Sequence, residues 1–248
     1  MAPPEPGGFF GVAAALGQVR RRIADAGGDP AAVRVVAVTK GFGPEAVRAA
    51  LSAGIADVGE NYAQELLSKV DALRAAGTGA AGNGEGGRAR AHDHGADLGV
   101  RWHFLGAVQR NKVAALAPVV SWWQGVARAV EGEAIARRRP GAVVLVEVDA
   151  TAAPGRNGCP PEAVPALVAE LRAAQLDVRG LMTVAPTDPE GARRAFRTLR
   201  ALADDLGLQE RSMGMSDDLE LAVAEGSTMV RVGRALFGDR PPRRVTAT

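Results

Sequence analysis

The chain has 248 residues, of which 47% are hydrophobic and 23% charged, and its formal net charge is +2. This length can bury a full core in one domain, and so small a net charge gives no electrostatic reason to expect a nucleic-acid partner. The single cysteine, Cys159, excludes an intramolecular disulfide, and no apolar run is long enough for a membrane span. Because the first thirty residues lack the pattern of a signal peptide, we expect a cytoplasmic protein.

The predicted elements alternate between strand and helix almost from end to end. After a start at 1–7 that we expect to be disordered, a helix is predicted over 8–26. The β-branched run at 33–39 is typical of a buried parallel strand. Seven more strands are predicted. Six of them lie at 55–59, 102–107, 119–123, 142–148, 178–184 and 229–233, and a short one between the last two of these ends near Met213.

Capping residues and apolar spacing predict the helices between these strands. Pro44 begins one helix, Asp188 and Pro189 begin another, and Ser216 with Asp217 and Asp218 begins a third. Residues 77–99 break the rhythm, because they are rich in glycine and alanine and show no apolar period. We predict that this stretch is a flexible surface insertion.

The succession of eight strand–helix units predicts a single α/β domain, a closed (β/α)₈ TIM barrel with an extra N-terminal helix. The barrel is expected to span 8–240, followed by a C-terminal tail at 241–248. An open, doubly wound sheet is the structural alternative. Its dinucleotide-binding version is disfavoured, because no G-x-G-x-x-G motif follows the first strand.

In such a barrel the functional site lies at the carboxyl ends of the strands, often with a phosphate site after strands seven and eight. Those two ends carry S-M-G-M-S at 212–216 and R-V-G at 231–233. Gly214 and Gly233 would let the backbone approach an anion, and Ser216 would offer the free N–H groups of a helix start. The alternative is that Ser216 is only a helix cap and that the glycines only turn the chain.

Lys40 ends the first predicted strand and is one of only three lysines, with Lys69 and Lys112. Arginine keeps its proton near neutral pH, so only a lysine or the terminal amine could form a Schiff base. An amine at the mouth of a barrel loses solvation, which lowers its pKa as imine formation requires. The alternative is a lysine whose ammonium simply reaches solvent.

Five segments together resemble a known family. They are V-A-V-T-K at 36–40, G-E-N-Y-A-Q-E at 59–65, W-H-F-L-G-A-V-Q-R-N-K at 102–112, G-L-M-T-V-A-P at 180–186 and the long segment at 212–238. In this order they resemble the pyridoxal phosphate homeostasis proteins, the YggS/PROSC family, whose barrel is similar to the cofactor domain of alanine racemases.

The resemblance implies pyridoxal 5′-phosphate as the cofactor and a Schiff base on Lys40. The other implied cofactor-binding residues are Ser212, Ser216 and Gly233 at the phosphate, Arg231 at the pyridine nitrogen and Asn61 near the ring. Three further residues match family motifs without a role that we can assign: His103, Asn111 and Lys112.

Three segments depart from the family's pattern. S-W-W-Q-G at 121–125 replaces a short S-V-D-like ending, and R-N-G at 156–158 stands where a K-x-G type segment is common. The insertion at 77–99 is longer than usual. We therefore expect these loops to differ, and any lysine role at 156–158 passes to arginine or is lost.

The resemblance favours a carrier over an enzyme. Alanine racemases and related decarboxylases use two acid/base groups, one of them from a second, β-rich domain, and we find no segment for such a domain. The one tyrosine, Tyr62, lies inside the barrel repeat. Arg231 would hold its proton too tightly to protonate the pyridine nitrogen, which leaves the ring a weak electron sink. We expect a monomer that binds and delivers the cofactor, with cofactor-dependent apoenzymes as candidate partners.

Two other functions stay open. A low-activity amino acid racemase could act through Lys40, alone or across a dimer. A metal hydrolase would use His103 with His92, Asp93 and His94, but the last three lie in the glycine-rich insertion and lack helical i, i+4 spacing. We therefore expect no metal.

Overall fold

The computed structural model describes residues 9, 11–78, 98–151 and 156–240. Eight parallel strands close into a barrel in the order β1 to β8, each pairing with its neighbours in sequence and β8 pairing with β1. The strands are β1 Arg34–Val38, β2 Asp57–Glu60, β3 Arg101–Phe104, β4 Val120–Val126, β5 Val143–Glu147, β6 Asp177–Met182, β7 Glu210–Ser212 and β8 Met229–Val232.

A helix follows each strand, and one more precedes the first. The helices are α1 Val12–Asp25, α2 Pro44–Ser52, α3 Ala63–Thr78, α4 Arg110–Leu116, α5 Ala129–Arg138, α6 Val164–Ala173, α7 Pro189–Asp205, α8 Leu219–Ala224 and α9 Arg234–Phe237, with a 3₁₀ turn at Pro161–Ala163. This arrangement confirms the TIM barrel with an extra N-terminal helix.

Of the three residues predicted to start the helix after β7, Asp218 is confirmed as its N-cap, whereas the start at Ser216 is wrong. Helix α8 begins at Leu219 with Asp218 at its N-cap position, and Ser216 lies in the turn before it. The reason is that Asp218 organises this turn, accepting a hydrogen bond from the Met215 N–H at 2.5 Å. The Ser216 hydroxyl instead accepts a hydrogen bond from the Ala235 N–H, which ties the turn to α9. The predicted starts at Pro44 and Pro189 are confirmed.

The fourth strand is longer than predicted, because β4 continues past Trp123 to Val126. The third is shorter, since β3 ends at Phe104. Register shifts occur on both sides of β4, against β3 and against β5. The S-W-W-Q-G segment therefore lies within a strand, and its Gln124 side chain is buried rather than part of a surface loop.

The barrel interior holds both apolar and polar side chains. Its apolar cluster consists of Val36, Trp122, Leu145, Met182 and Met229. The alternate residues of the same strands face outward and join a larger cluster with the helices. Its buried polar side chains include His103, Gln124, Ser212 and Arg231.

Several predictions fall on segments that the structure does not describe. The disordered start at 1–7, the tail at 241–248 and most of the insertion at 77–99 lie outside the described residues. Helix α3 continues through the first two residues of that insertion, to Thr78. Within the described ranges, no helix combines the length and the apolar character needed to cross a bilayer.

Candidate functional site

A cavity of about 370 Å³ opens at the carboxyl ends of the strands. It is lined by five of the six residues that the sequence singled out: Lys40, Asn61, Ser216, Arg231 and Gly233. Its apolar lining comes from Val38, Leu105, Met182, Val184 and Met215, and its other charged lining residues are Asp217, Arg234 and Arg240. The volume and the mixed lining are those of a small-molecule site.

Lys40 lies in a tight turn just beyond β1. Gly41 follows it with a φ of +80°, a conformation that favours glycine. The Gly41 N–H donates to a carboxylate oxygen of Glu65 on α3 at 2.9 Å, which holds the turn against that helix. The Lys40 side chain is half-buried, and burial lowers the pKa of its ammonium, with Arg240 adding to the effect.

A buried ion pair holds the backbone next to Lys40. The Lys69 ammonium, 4% exposed, contacts a carboxylate oxygen of Glu60 and donates to the Thr39 carbonyl at 2.7 Å. The Thr39 hydroxyl donates to the same Glu60 oxygen at 2.9 Å. Burial raises the pKa of Glu60, and the Lys69 ammonium opposes that change. The pair therefore fixes the residue that immediately precedes Lys40.

Our reading of the sequence missed Lys69, although a signal for it exists. Lys69 falls on the apolar face of α3, in register with Leu66, Val70 and Leu73. A charged side chain at such a position is seldom buried without a partner. The search for that partner leads to Glu60, at the end of the neighbouring strand.

Arg231 is a buried cation at the floor of the cavity. Its Nη1 donates to the carbonyl and the hydroxyl of Ser212 at 2.7 and 2.9 Å, and its Nη2 donates to the Thr183 carbonyl at 2.8 Å. A guanidinium has five N–H groups, so two find no acceptor among the described residues. Burial lowers the pKa of Arg231 to about 10, so the side chain stays positively charged at neutral pH.

Ser212 is the one predicted site residue that does not line the cavity. Its hydroxyl is fully buried, donates to Gln124 Oε1 at 2.7 Å and accepts from Arg231. In the structure, Ser212 therefore contacts Arg231 beneath the cavity. Its contact with a phosphate stays a prediction.

The loops after β7 and β8 form the basic side of the cavity. Gly214 adopts a φ of +95°, and its carbonyl accepts from the Arg231 N–H, which joins the two loops. Arg234 pairs with the exposed Asp217, and Arg240 extends over Lys40 and Gly41. Our reading missed both arginines, because each follows the last strand, where the sequence carries no strand or helix pattern to place it.

The residues without an assigned role lie elsewhere. His103 is buried inside the barrel, with Nε2 2.9 Å from an Asp57 carboxylate oxygen and Nδ1 2.6 Å from Gln124 Nε2. Asn111 and Lys112 lie on α4 and do not line the cavity. The His92–His94 segment is outside the described residues, within which no cluster of three metal-binding side chains occurs.

Comparisons with known proteins agree over nearly the whole chain. The family model described as alanine racemase, N-terminal domain, matches residues 15–241. A pyridoxal phosphate homeostasis protein of Pseudomonas aeruginosa is 38% identical over 238 residues, covering 92% of this chain and 94% of the relative. The protein of the same name from Escherichia coli K12 is 32% identical over 244 residues, covering 91% and 95%.

Solved structures show the same similarity. PipY of Synechococcus elongatus, solved with pyridoxal phosphate bound, is 30% identical with a TM-score of 0.70, covering 89% of this chain and all of that one. A Bifidobacterium adolescentis protein described as unknown is 31% identical with a TM-score of 0.76, covering 91% and 94%. Alanine racemase from Corynebacterium glutamicum, at 18% identity and a TM-score of 0.63, shares the fold, and this chain covers 63% of it.

Proposed function

Because the chain belongs to the alanine racemase N-terminal domain family and, within it, to the pyridoxal phosphate homeostasis proteins, we propose that it binds pyridoxal 5′-phosphate as a Schiff base on Lys40. Its function is to hold the cofactor reversibly and deliver it to apoenzymes, without strong catalytic activity. The observation that carries the proposal is the cavity in which a half-buried lysine and a buried, incompletely bonded arginine lie together.

The amine of Lys40 suits the aldehyde of the cofactor. Because burial lowers the pKa of the ammonium, more of the neutral amine is present at neutral pH. Lys40 would hold the cofactor by condensing with its aldehyde, and because water would be the only product released, no further reactant would be needed. The contacts of Gly41 with Glu65 and of Thr39 with Lys69 hold the turn that presents this amine.

The basic loops suit the phosphate. Ser216 and Gly233 line this side of the cavity, and Arg234 and Arg240 add positive charge. Backbone N–H groups, hydroxyls and guanidinium groups are the donors that phosphate oxygens prefer. We retain Ser212 as a proposed phosphate contact, although it lies beneath the lining and its hydroxyl is bonded to Arg231 and Gln124.

The floor of the cavity suits the ring. The N–H groups of Arg231 without an acceptor would be donors for an unprotonated pyridine nitrogen, and Asn61, which lines the same cavity, would contact the ring. Apolar side chains such as Met182 and Leu105 offer packing surfaces for its faces. When bound, the cofactor supplies an aldehyde and an electron-accepting ring.

The same cavity offers little for acid/base catalysis besides Lys40. Among the described residues that line it, the one carboxylate is Asp217, which is exposed and paired with Arg234. Arg231 keeps its proton at neutral pH, so it does not protonate the pyridine nitrogen. The shortage of acid/base groups favours a carrier over a racemase, whereas the arginine only weakens the ring as an electron sink and does not separate the two functions.

The proposal is tested by titrating cofactor-free protein with pyridoxal phosphate and recording the absorbance. Wild type is expected to develop the band of a protonated imine, and Lys40→Ala is expected to lose it. Lys112→Ala, a lysine on α4 away from the cavity, is the matched control and should keep the band. A wild-type protein that stays colourless contradicts the proposal.

The racemase alternative has its own readout. Exchange of the α-hydrogen of alanine or serine for deuterium, followed by NMR, measures proton removal directly. We expect no exchange above that of free cofactor. Exchange that requires Lys40 would favour the racemase.

We also propose that the protein acts in the cytoplasm as a monomer. Support for the cytoplasmic location comes from Cys159, which is buried as a free thiol. Sedimentation that gives twice the mass of one chain would contradict the monomer.

A further inference from the structure

A line of buried polar side chains crosses the barrel interior beneath the cavity. It runs through Arg231, Ser212, Gln124, His103 and Asp57, which lie on β8, β7, β4, β3 and β2. The successive contacts measure 2.9, 2.7, 2.6 and 2.9 Å. Strands β4 and β7 are not neighbours in the sheet, so the bond from Ser212 to Gln124 spans the interior of the barrel.

The line has a single direction of hydrogen-bond donation. Arg231 can only donate, so the Ser212 oxygen accepts from it and its hydroxyl hydrogen goes to Gln124 Oε1. The Gln124 amide nitrogen then faces His103 Nδ1, which must accept, while Nε2 carries the hydrogen that points to Asp57. The second N–H of Gln124 reaches the Met229 sulfur at 3.1 Å. Every group in the line is satisfied when His103 is the neutral Nε2–H tautomer.

The electrostatic surroundings agree with a neutral ring. His103 is fully buried, and burial lowers its pKa, opposed by the hydrogen bond and charge of Asp57; Arg34 and Arg101 lower it further. The Asp57 carboxylate is paired with Arg101 at the opposite end of the barrel from the cavity. The line therefore begins at a cation under the cavity and ends at a carboxylate that is already neutralised.

We propose that Gln124 and His103 are positioning residues for the cofactor site, which act by holding Ser212 and thereby the guanidinium of Arg231. Without an acceptor at Gln124, the Ser212 hydroxyl is free to turn, and Arg231 loses the fixed partner that holds its guanidinium beneath the cavity. The cost of these buried polar groups is offset because each is hydrogen-bonded. This inference rests on the proposed function, since it assigns the line a role toward the same ligand.

Three variants separate positioning from packing. Gln124→Met keeps the length of the side chain but removes its acceptor, whereas Gln124→Glu keeps an oxygen for Ser212 and removes only the N–H groups that face His103 and Met229. Leu145→Met changes an interior residue outside the line and serves as the packing control. Each is titrated with pyridoxal phosphate, and both the dissociation constant and the absorbance maximum of the bound cofactor are measured.

We expect Gln124→Met to weaken cofactor binding by about tenfold, the equivalent of one lost buried hydrogen bond, and to shift the absorbance maximum. Gln124→Glu should restore binding to within about threefold of wild type, and Leu145→Met should match wild type in both quantities. If Gln124→Met does not fold, Ser212→Ala breaks the line at the next residue and should give the same weakening and the same shift. Unchanged affinity and absorbance in a folded variant of either kind would overturn the proposal.

The line is also testable without the cofactor. Nitrogen-15 NMR of cofactor-free wild type should show His103 as the neutral Nε2–H tautomer, assigned by the loss of its signals in His103→Gln. A protonated ring or the Nδ1–H tautomer would overturn the proposed direction of the line. If wild type binds no cofactor, the proposed function fails, whereas the NMR result still decides whether the line exists.

Discussion

The charged residues around Lys40 show how single side chains prepare a reactive amine. Glu65 and Lys69 stand four residues apart on α3, so both reach the same turn after β1. One holds the Gly41 N–H, and the other holds the Thr39 carbonyl. The amine between them is left half-buried, and its pKa falls for that reason. A buried ion pair here serves to orient the backbone, and by itself it says little about stability.

Removal of the Lys69 ammonium tests that arrangement. Lys69→Met leaves the Glu60 carboxylate buried without its cation, and breaking a buried pair in this way costs about 3–5 kcal/mol of unfolding free energy. Urea denaturation at pH 7.5 measures the loss. The double variant Glu60→Gln/Lys69→Met should recover part of it, and Lys112→Met should stay within about 0.5 kcal/mol of wild type. A Lys69→Met protein as stable as wild type would show that the pair is not structural.

His103 is expected to make the free energy of unfolding depend on pH. Burial holds the native-state pKa of the ring below its ordinary value, so on acidification the unfolded chain takes up the proton first. The contribution of the neutral ring to stability is complete above the pKa of histidine in the unfolded chain, about 6.5, and is lost as the pH falls below that value. The stability difference between wild type and His103→Gln should shift by about 1 kcal/mol against wild type from pH 7.5 to 5.5. Urea denaturation at both pH values checks this, and a shift of opposite sign would mean that His103 is charged in the folded protein.

At the scale of elements, α7 illustrates how a local signal sets a boundary. The Asp188 carboxylate accepts the Gly191 N–H at 2.6 Å, and Pro189 occupies the first helical position. Asp188→Ala should therefore cost about 1 kcal/mol of unfolding free energy, the usual value of an N-cap. Asp205→Ala, at the exposed end of the same helix, is the control and should change stability little. Equal effects of the two substitutions would contradict the capping role.

The elements were predictable to different degrees for physical reasons. Parallel strands buried on both faces have continuous apolar sequences, so β1 and β5 stand out, and proline at a helix start marks α2 and α7. The turn before α8 was misread, because three consecutive residues there could each cap a helix and only the tertiary contact with Ala235 decides between them. Strand β4 was cut short, since Gln124 and Gly125 read as a loop in isolation although both are buried.

The site was predictable where residues directly end a strand and not where they act through another residue. Lys40, Asn61 and Arg231 follow or belong to strands whose carboxyl ends must meet, so topology alone brings them together. Lys69, His103 and Gln124 act through contacts between distant segments, which a single sequence does not display. Their positions became meaningful only with the hydrogen bonds that join them.

Along the barrel axis, one end of the interior is packed with side chains and the other end forms the candidate cofactor site. At the end away from the cavity, Arg34 and Arg179 lie 4.7 and 5.3 Å from the centre of the Trp122 ring, which stacks on His103. At the other end the interior opens into the cavity lined by Lys40 and Arg231. In TIM barrels generally, residues at one end of the barrel stabilise the fold, and residues at the other end carry out the chemistry.

The central claim is a covalent link between Lys40 and the cofactor, and reductive trapping tests it most directly. The protein is incubated with pyridoxal phosphate, reduced with borohydride, digested with trypsin and mapped by mass spectrometry. Because a modified lysine resists trypsin, we predict one uncleaved peptide, residues 35–48, that carries the reduced pyridoxyl adduct on Lys40. An adduct found instead on Lys69, Lys112 or the terminal amine, or no adduct at all, would contradict it.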